Sequence, residues 1–342
     1  GNGSTFNSGM VGGCGGTLSI LACGRYEMFT HLPRFMGDVH VVLIAVSGTD
    51  VASTNQADAL RTFADWEMLE PIENQPAFRR MNVRMWILPG SVLREDFLAR
   101  RWKKATGETV DEIIFPSRHS AASGRPSLTL HPIGVMQLDV DETPPYGGKA
   151  GDAPPPSTRL ASWWQELVRK SEHVELGEEF DTSLEVTHHG PWLEVPSLFI
   201  EVGSTAATWG HKGAAEFLAD IIHRGLGLDG GNGFGCWNPE LDSGSPVLIT
   251  LGGGHYAPRA NNLGLQSGLH IGHMLATYAL PFTAPETEGD GPGGNWKQSI
   301  NAAYRATVQA FPNGNIIFSM DKKAFKGWQR QAIRNHLELL QA

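Results

Sequence analysis

The chain has 342 residues, 41% hydrophobic and 18% charged, which suffices for a large buried core and is ordinary for a globular protein. Its net charge of −9 excludes a general polyanion binder but leaves room for a local basic patch. No apolar run is long enough to span a bilayer, and three cysteines (Cys14, Cys23 and Cys236) without C-x-x-C spacing argue against a disulfide framework or a cysteine zinc site.

Residues 1–35 are rich in Gly and Ser and are expected to form a partly ordered lead-in, with a single catalytic α/β domain over 36–342. The continuous apolar run Val41–Val46 reads as a strand buried on both faces. It stops at Ser47-Gly48-Thr49-Asp50, and Ala52, Ala59, Leu60 and Phe63 suit a helix after it. Val83–Leu88 reads as a second strand and Ile113–Phe115 as a short third. The polar loop from Ser117 to Pro126 then leads into an alternating strand, Ser127–His131. Leu160, Trp163, Trp164, Leu167 and Val168 have helical spacing, Leu184–Thr187 and Leu198–Val202 read as strands, and Ala214–Ile222 as a helix stopped at Gly225. Val247–Leu251 is another buried strand, Trp296–Val308 a helix, Ile316–Phe318 a late strand, and the tail from 324 is helical. Strands alternating with helices, several of them wholly apolar, predict an α/β fold with a mainly parallel central sheet and helices on both faces. Gly/Pro-rich insertions fall near 141–157, 227–246 and 284–295.

Several strands end in polar or Gly-rich sequence: Ser47–Asp50, Thr187-His188-His189-Gly190-Pro191, Gly203-Ser204-Thr205, and Gly252-Gly253-Gly254-His255-Tyr256. In open α/β sheets ligands bind at the carboxyl ends of the strands, so these tips should converge. His188 or His189 is a candidate general base, and Glu185, an even four residues before His189 on a strand, is expected to face the same side and pair with it. Backbone N–H groups of Gly252, Gly253 and Gly254 could stabilise an oxyanion and form a close wall beside the substrate, with His255 as acid, base or metal ligand. Each of these also has a plain structural reading, a satisfied polar histidine or a tight turn. The convergence of the tips is what favours chemistry. Arg118 and Arg125, with Ser117 and His119, could hold a phosphate. Two basic clusters stand out, Arg100, Arg101, Lys103 and Lys104, and Lys322, Lys323, Lys326 and Arg330. His131, His188, His189, His255, Glu185 and Glu201 are plausible N/O metal ligands, with His188, His189, His255 and Glu201 the expected set, although no H-E-x-x-H or other tight ligand spacing is present.

Taken together, Leu184–Pro191, Phe199–Thr205 with Trp209, Gly252–Pro258, Ser117–His119, Ser123–Thr129 with His131, and Gly272-His273 resemble the archaeal and plant D-aminoacyl-tRNA deacylases, in the same order and from about residue 40 onward. His131–Val135, Gly294–Trp296 and Phe325–Trp328 resemble the plant branch, which is linked to ethanol tolerance through removal of aldehyde-modified D-aminoacyl groups from tRNA. The chain departs from that branch at Met136, Lys322 and Ala324, where Pro, His and Ser are expected, and keeps the matching lysine at Lys323. The resemblance implies a fold like those of peptidyl-tRNA hydrolases and nucleoside phosphorylases, no nucleotide cofactor, and an association with zinc. It implies cleavage of the ester between a D-amino acid and tRNA, for which the strand tips offer His188, His189 and His255 with Glu185 as the expected catalytic groups. Substrate would be bound by Gly252, Gly253, Gly254, Tyr256, Ser204, Thr205, Arg118, His119, Arg125, His131, Lys323 and Lys326. The expected partner is the aminoacylated 3′ end of tRNA, with no membrane association and a monomeric protein. A cytoplasmic location is expected, with organellar targeting left open because the chain begins at Gly1. The rival readings are a zinc-dependent amidohydrolase or peptidase and a non-catalytic binder of the aminoacyl-tRNA end.

Overall fold

The apolar run at Val41 is a strand with two buried faces. In β1 (His40–Ser47), Val42, Ile44 and Val46 enter one core cluster, while Val41, Leu43 and Ala45 enter another on the opposite side. The computed structural model describes residues 39–287 and 290–341. The lead-in expected over 1–35, with Cys14 and Cys23, lies outside the described residues. Cys236 is a free, exposed cysteine.

After β1 come α1 (Val51–Phe63), β2 (Glu67–Met68), β3 (Ala77–Arg80), β4 (Val83–Leu88), α2 (Leu98–Thr106), β5 (Thr109–Arg118) and β6 (Ser127–His131). The middle of the chain holds α3 (Leu160–Ser171), α4 (Leu176–Glu179), β7 (Asp181–Leu184), β8 (Ser197–Gly203), α5 (Ala206–Trp209) and α6 (Lys212–Gly225). The last part holds β9 (Pro246–Leu251), α7 (Pro258–Leu263), β10 (His270–Leu275), α8 (Trp296–Ala310), β11 (Asn315–Met320) and α9 (Gly327–Gln341).

Eight strands form one sheet in the order β2-β3-β4-β1-β5-β8-β6-β7. Its centre, β4-β1-β5-β8, is parallel, β6 enters antiparallel to β8, and the β2–β3–β4 edge is antiparallel. Apolar faces of α1, α3 and α6 cover one side through Leu60, Trp163, Leu167 and Leu218, and α2 covers the other through Leu98 and Trp102. The mainly parallel α/β arrangement is therefore present. It has an addition that periodicity could not show: β9, β10 and β11 form a separate parallel sheet in the order β10-β9-β11, packed with α8 and Ile333 of α9 in a third cluster.

The two sheets meet just after β7. There Val186 N–H donates to His255 O at 2.9 Å and Thr187 N–H to Met274 O at 2.7 Å. The strand expected over Leu184–Thr187 thus occupies Asp181–Leu184, and the chain leaves the sheet at Glu185 to cross towards the second one. In the first basic cluster both arginines are paired locally: Arg101 with Glu73 and Glu95, and Arg100 with Glu194. Met136 is fully buried in the third cluster, filling the position where proline was expected.

Candidate active site

Because β4, β1, β5 and β8 are parallel, their carboxyl ends open on one side, and a cavity of about 760 Å³ lies there. Its polar floor includes Ser47, Thr49 and Asp50 after β1, Ser91 after β4, and Ser117 to Ser120 at the end of β5. Asp50 ties these tips together. Its Oδ1 accepts from the N–H groups of Ala52 and Ser53 at the start of α1, and its Oδ2 from Arg118 N–H at 2.9 Å. Burial raises its pKa in spite of those bonds. The opposite wall is the segment after β6, with Val135, Gln137, Leu138, Pro145 and Tyr146. Gln298 of α8 holds that segment by donating to Met136 O and Leu138 O, and Arg94 by donating to Pro145 O.

Glu201, His188, His189, His255 and Tyr278 line the rest of the cavity. Behind them sits Glu185, fully buried. Its Oε2 accepts from His255 Nε2 at 2.8 Å, and its Oε1 lies 3.0 Å from His119 Nδ1, short of hydrogen-bond alignment. Burial pushes the Glu185 pKa up, but His119 and His255 outweigh it and hold the carboxyl well below its ordinary value. Burial also opposes the charged form of His119, yet Glu185 and Glu201 prevail and raise it to about 11. His119 passes its other nitrogen to Tyr256 Oη at 3.1 Å.

Three further imidazoles share one pattern. His131 Nδ1 meets Pro132 O at 3.0 Å, His188 Nδ1 meets Val186 O at 2.7 Å, and His189 Nδ1 meets Gly190 O at 2.7 Å. A carbonyl only accepts, so each Nδ1 carries the hydrogen; burial opposes the charged form of His131, but Glu201, 3.6 Å from its Nε2, prevails and raises its pKa. The His131 Nε2 is buried without a hydrogen-bond partner. Burial lowers His188 well below its ordinary value and His189 to about 4, keeping both neutral. His189 is a left-handed residue at φ 45°. Gly190 beside it has no room for a side chain, because a Cβ would lie 2.2 Å from Gly148 N.

The ligand atoms of His131, His188 and His189 lie within 4.8 Å of one another, as do those of His119, Glu185 and His255, and those of His131, Glu185 and Glu201. Each group could hold an ion. The foursome His188, His189, His255 and Glu201 is not gathered as one set among the described residues: His188 and His189 group with His131, and His255 groups with Glu185 and His119.

Other expected residues fall elsewhere. Glu185 pairs with His255 and approaches His188 at 3.7 Å instead of pairing with His189, because the strand ends at Leu184 and period-two alternation stops there. Gly252 N–H donates to Leu275 O at 2.7 Å and Gly253 N–H to Thr277 Oγ1 at 3.0 Å, so neither is free for an oxyanion. Gly252 turns at φ +88°, and a side chain there would strike Phe325. Its role, then, is close packing. With Gly254, these glycines stand outside the cavity lining. Ser204 is buried with its hydroxyl spent on Arg125 O at 2.6 Å, and Thr205 caps α5. Arg125 is exposed and paired with Asp181 at 2.6 Å. Arg118 lines the cavity with its guanidinium 4.6 Å from the Trp209 ring centroid. Lys323 and Lys326 are exposed outside the lining, beside Phe325, which packs on the Gly252 turn. Tyr278, Gln137, Leu138 and Tyr146 carry no motif and escape sequence reasoning. An aromatic just past β10 was the faint signal for Tyr278, and β10 itself was not anticipated.

The profile of a family described as D-aminoacyl-tRNA deacylase matches residues 106–342. A protein of Arabidopsis thaliana named D-aminoacyl-tRNA deacylase is 43% identical over 305 residues, covering 87% of this chain and 95% of its own length. One of the same name from Pyrococcus furiosus is 31% identical over 244 residues, covering 70% and 81%. A crystallised conserved protein of unknown function superposes with a TM-score of 0.68 at 27% identity, covering 88% of this chain and 93% of its own.

Proposed function

The chain belongs to the D-aminoacyl-tRNA deacylase family, and from that premise we propose how it hydrolyses the ester joining a D-amino acid to tRNA. The observation that carries the mechanism is the Glu185–His255 pair at the cavity wall. The buried carboxylate holds His255 as the Nε2–H tautomer, which leaves Nδ1 as the basic nitrogen. Nδ1 takes a proton from a water as that water's oxygen bonds to the ester carbonyl carbon. When the tetrahedral species collapses, the C–O bond to the ribose breaks and the ribose oxygen takes the proton back from Nδ1. Water has then been added across the ester, freeing the amino acid and the tRNA. Acid–base work of this kind typically contributes about 10²–10⁴-fold.

His131, His188 and His189 fit a zinc ion. Their Nδ1 atoms each meet a backbone carbonyl, as those of metal-bound histidines usually do, their candidate ligand atoms lie within 4.8 Å of one another, and the buried His131 Nε2 makes no hydrogen bond among the described residues, with Glu201 3.6 Å away. When bound there, zinc supplies Lewis-acid stabilisation of charge developing on oxygen. Arg118 at the cavity and the exposed Lys323 and Lys326 hold phosphates of the tRNA end, and the Val135–Tyr146 wall faces the aminoacyl group.

Single-turnover incubation with D-Tyr-tRNA, L-Tyr-tRNA and a D-tyrosyl peptide, following free tyrosine, tests the reading. Release from D-Tyr-tRNA alone is expected. Intact D-Tyr-tRNA would defeat it, and cleavage of the peptide would revive the amidohydrolase alternative.

A further inference from the structure

An ester under attack places negative charge on its former carbonyl oxygen, and hydrolysis is slow unless a donor already points there. Gly252 and Gly253 are ruled out because their N–H groups are bonded to Leu275 O and Thr277 Oγ1. On the cavity floor, Ser47 donates to Gly90 O at 2.8 Å, and the Arg118 guanidinium lies against Trp209. Next to His255, however, Tyr278 lines the cavity with its Oη 3.2 Å from His255 Nδ1. Since the Nε2–H faces Glu185, Nδ1 is an acceptor, and Tyr278 must be the donor in this contact.

We propose that Tyr278 is a catalytic residue whose phenol O–H stabilises the oxyanion and, by moving to it, frees His255 Nδ1 for the attacking water. This rests on the deacylase reading above. At rest the O–H is shared with Nδ1 over a long bond, and a donor at 3.2 Å is displaced at small cost. When the ester carbonyl enters, the phenol turns to it and Nδ1 is exposed to water. One hydroxyl thereby covers the base in the empty enzyme and supports the transition state in the occupied one. No proton leaves Tyr278 in the step; the proton taken from water sits on His255 until the ribose oxygen receives it.

Two features support this role. The residue before Tyr278 is clamped to the glycine turn two residues before His255: Thr277 N–H donates to Gly253 O at 3.0 Å, and Gly253 N–H to Thr277 Oγ1 at 3.0 Å. Tyr278 and His255 therefore keep their spacing without a direct covalent constraint, and the glycines serve that spacing. Burial, reinforced by the charge of Glu185, raises the Tyr278 pKa, so the phenol keeps its proton at neutral pH.

The test is Tyr278→Phe, which removes one half-exposed oxygen, alongside a protein carrying 3-fluorotyrosine at 278, a stronger hydrogen-bond donor. The Phe variant should lose about 10²–10³-fold in kcat on D-Tyr-tRNA. Its KM should stay within about threefold, and its Kd for amide-linked D-tyrosyl-tRNA should not change. Fluorotyrosine should retain or raise kcat. A Phe variant within about threefold of wild-type kcat, or one whose loss lies wholly in KM, would overturn the proposal and leave the deacylase reading intact. Wild-type protein that spares D-Tyr-tRNA would overturn both.

Discussion

Replacing Glu185 with Gln keeps the side-chain shape and removes one buried charge. In the native protein this carboxylate accepts from His255 at 2.8 Å and faces His119 at 3.0 Å. A Gln can offer its single oxygen to one of the two rings, so its NH₂ meets an N–H of the other. If the oxygen stays with His255, the tautomer survives but the imidazolium formed during catalysis loses its counter-charge. If it turns to His119, His255 is released to the wrong tautomer. Either outcome should cost about 10²–10⁴-fold in kcat, or about 3–5 kcal/mol of barrier at 1.36 kcal/mol per decade. KM should change little, because the interaction lost is one made in the transition state. Stability should fall less: charged hydrogen bonds are worth about 1.5–3 kcal/mol each, but the desolvation cost of the buried carboxylate disappears with them. Single-turnover hydrolysis of D-Tyr-tRNA measures the first quantity and urea unfolding the second. A Glu185→Gln enzyme that stays folded and turns over within about threefold of wild type would refute the assignment of His255 as the base.

His188→Ala combined with His189→Ala should abolish stoichiometric zinc binding, measured by elemental analysis after dialysis against zinc; retention of one zinc per chain would remove the three-histidine site. His273, fully buried between Thr187 Oγ1 and Pro154 O, is pushed by burial down to about 4. In the unfolded chain it protonates near its ordinary 6.5, so stability is full above that pH and should drain away as pH falls from there towards 4, and His273→Gln should flatten this limb in urea titrations. Trp102→Ala empties a fully buried site stacked edge-on against Trp86 at 5.7 Å and should cost about 3–5 kcal/mol of unfolding free energy. The double change Lys323→Ala and Lys326→Ala should raise KM more than it lowers kcat and reduce the slope of log affinity against log salt by about 1–2; an unchanged slope would exclude these lysines from tRNA contact.

Much of the architecture was legible along the chain because it is local. Val41–Val46 reads as a strand buried on both faces because the apolar run is short and rich in Val and Ile, and the two cores do receive its side chains alternately. Ala214–Ile222 and Trp296–Val308 carried helical spacing that needed no partner to be recognised. His188, His189 and His255 were also visible as polar residues ending apolar strands, but β7 runs against β8 and β9 lies in the second sheet, so it is the crossing after β7 that gathers them at the cavity. Partner choice was not visible. Glu185 lies nearest His189 along the chain by strand alternation, yet it joins His255, seventy residues on, because the chain leaves the sheet after Leu184 and crosses to β10. The Gly252 turn looked like an anion cradle in one dimension; in three, the N–H groups of Gly252 and Gly253 are bonded to Leu275 and Thr277. His119 meets Glu185 at the strand ends of the first sheet and Tyr278 meets His255 because β9 and β10 are neighbours in the second, while the His255–Glu185 bond joins the two groups across the sheets. Periodicity records which side of an element is apolar, a property of neighbouring residues. Hydrogen-bond pairing in a buried site is settled by which distant elements share that site, and this depends on strand order and on a crossing that no local pattern encodes.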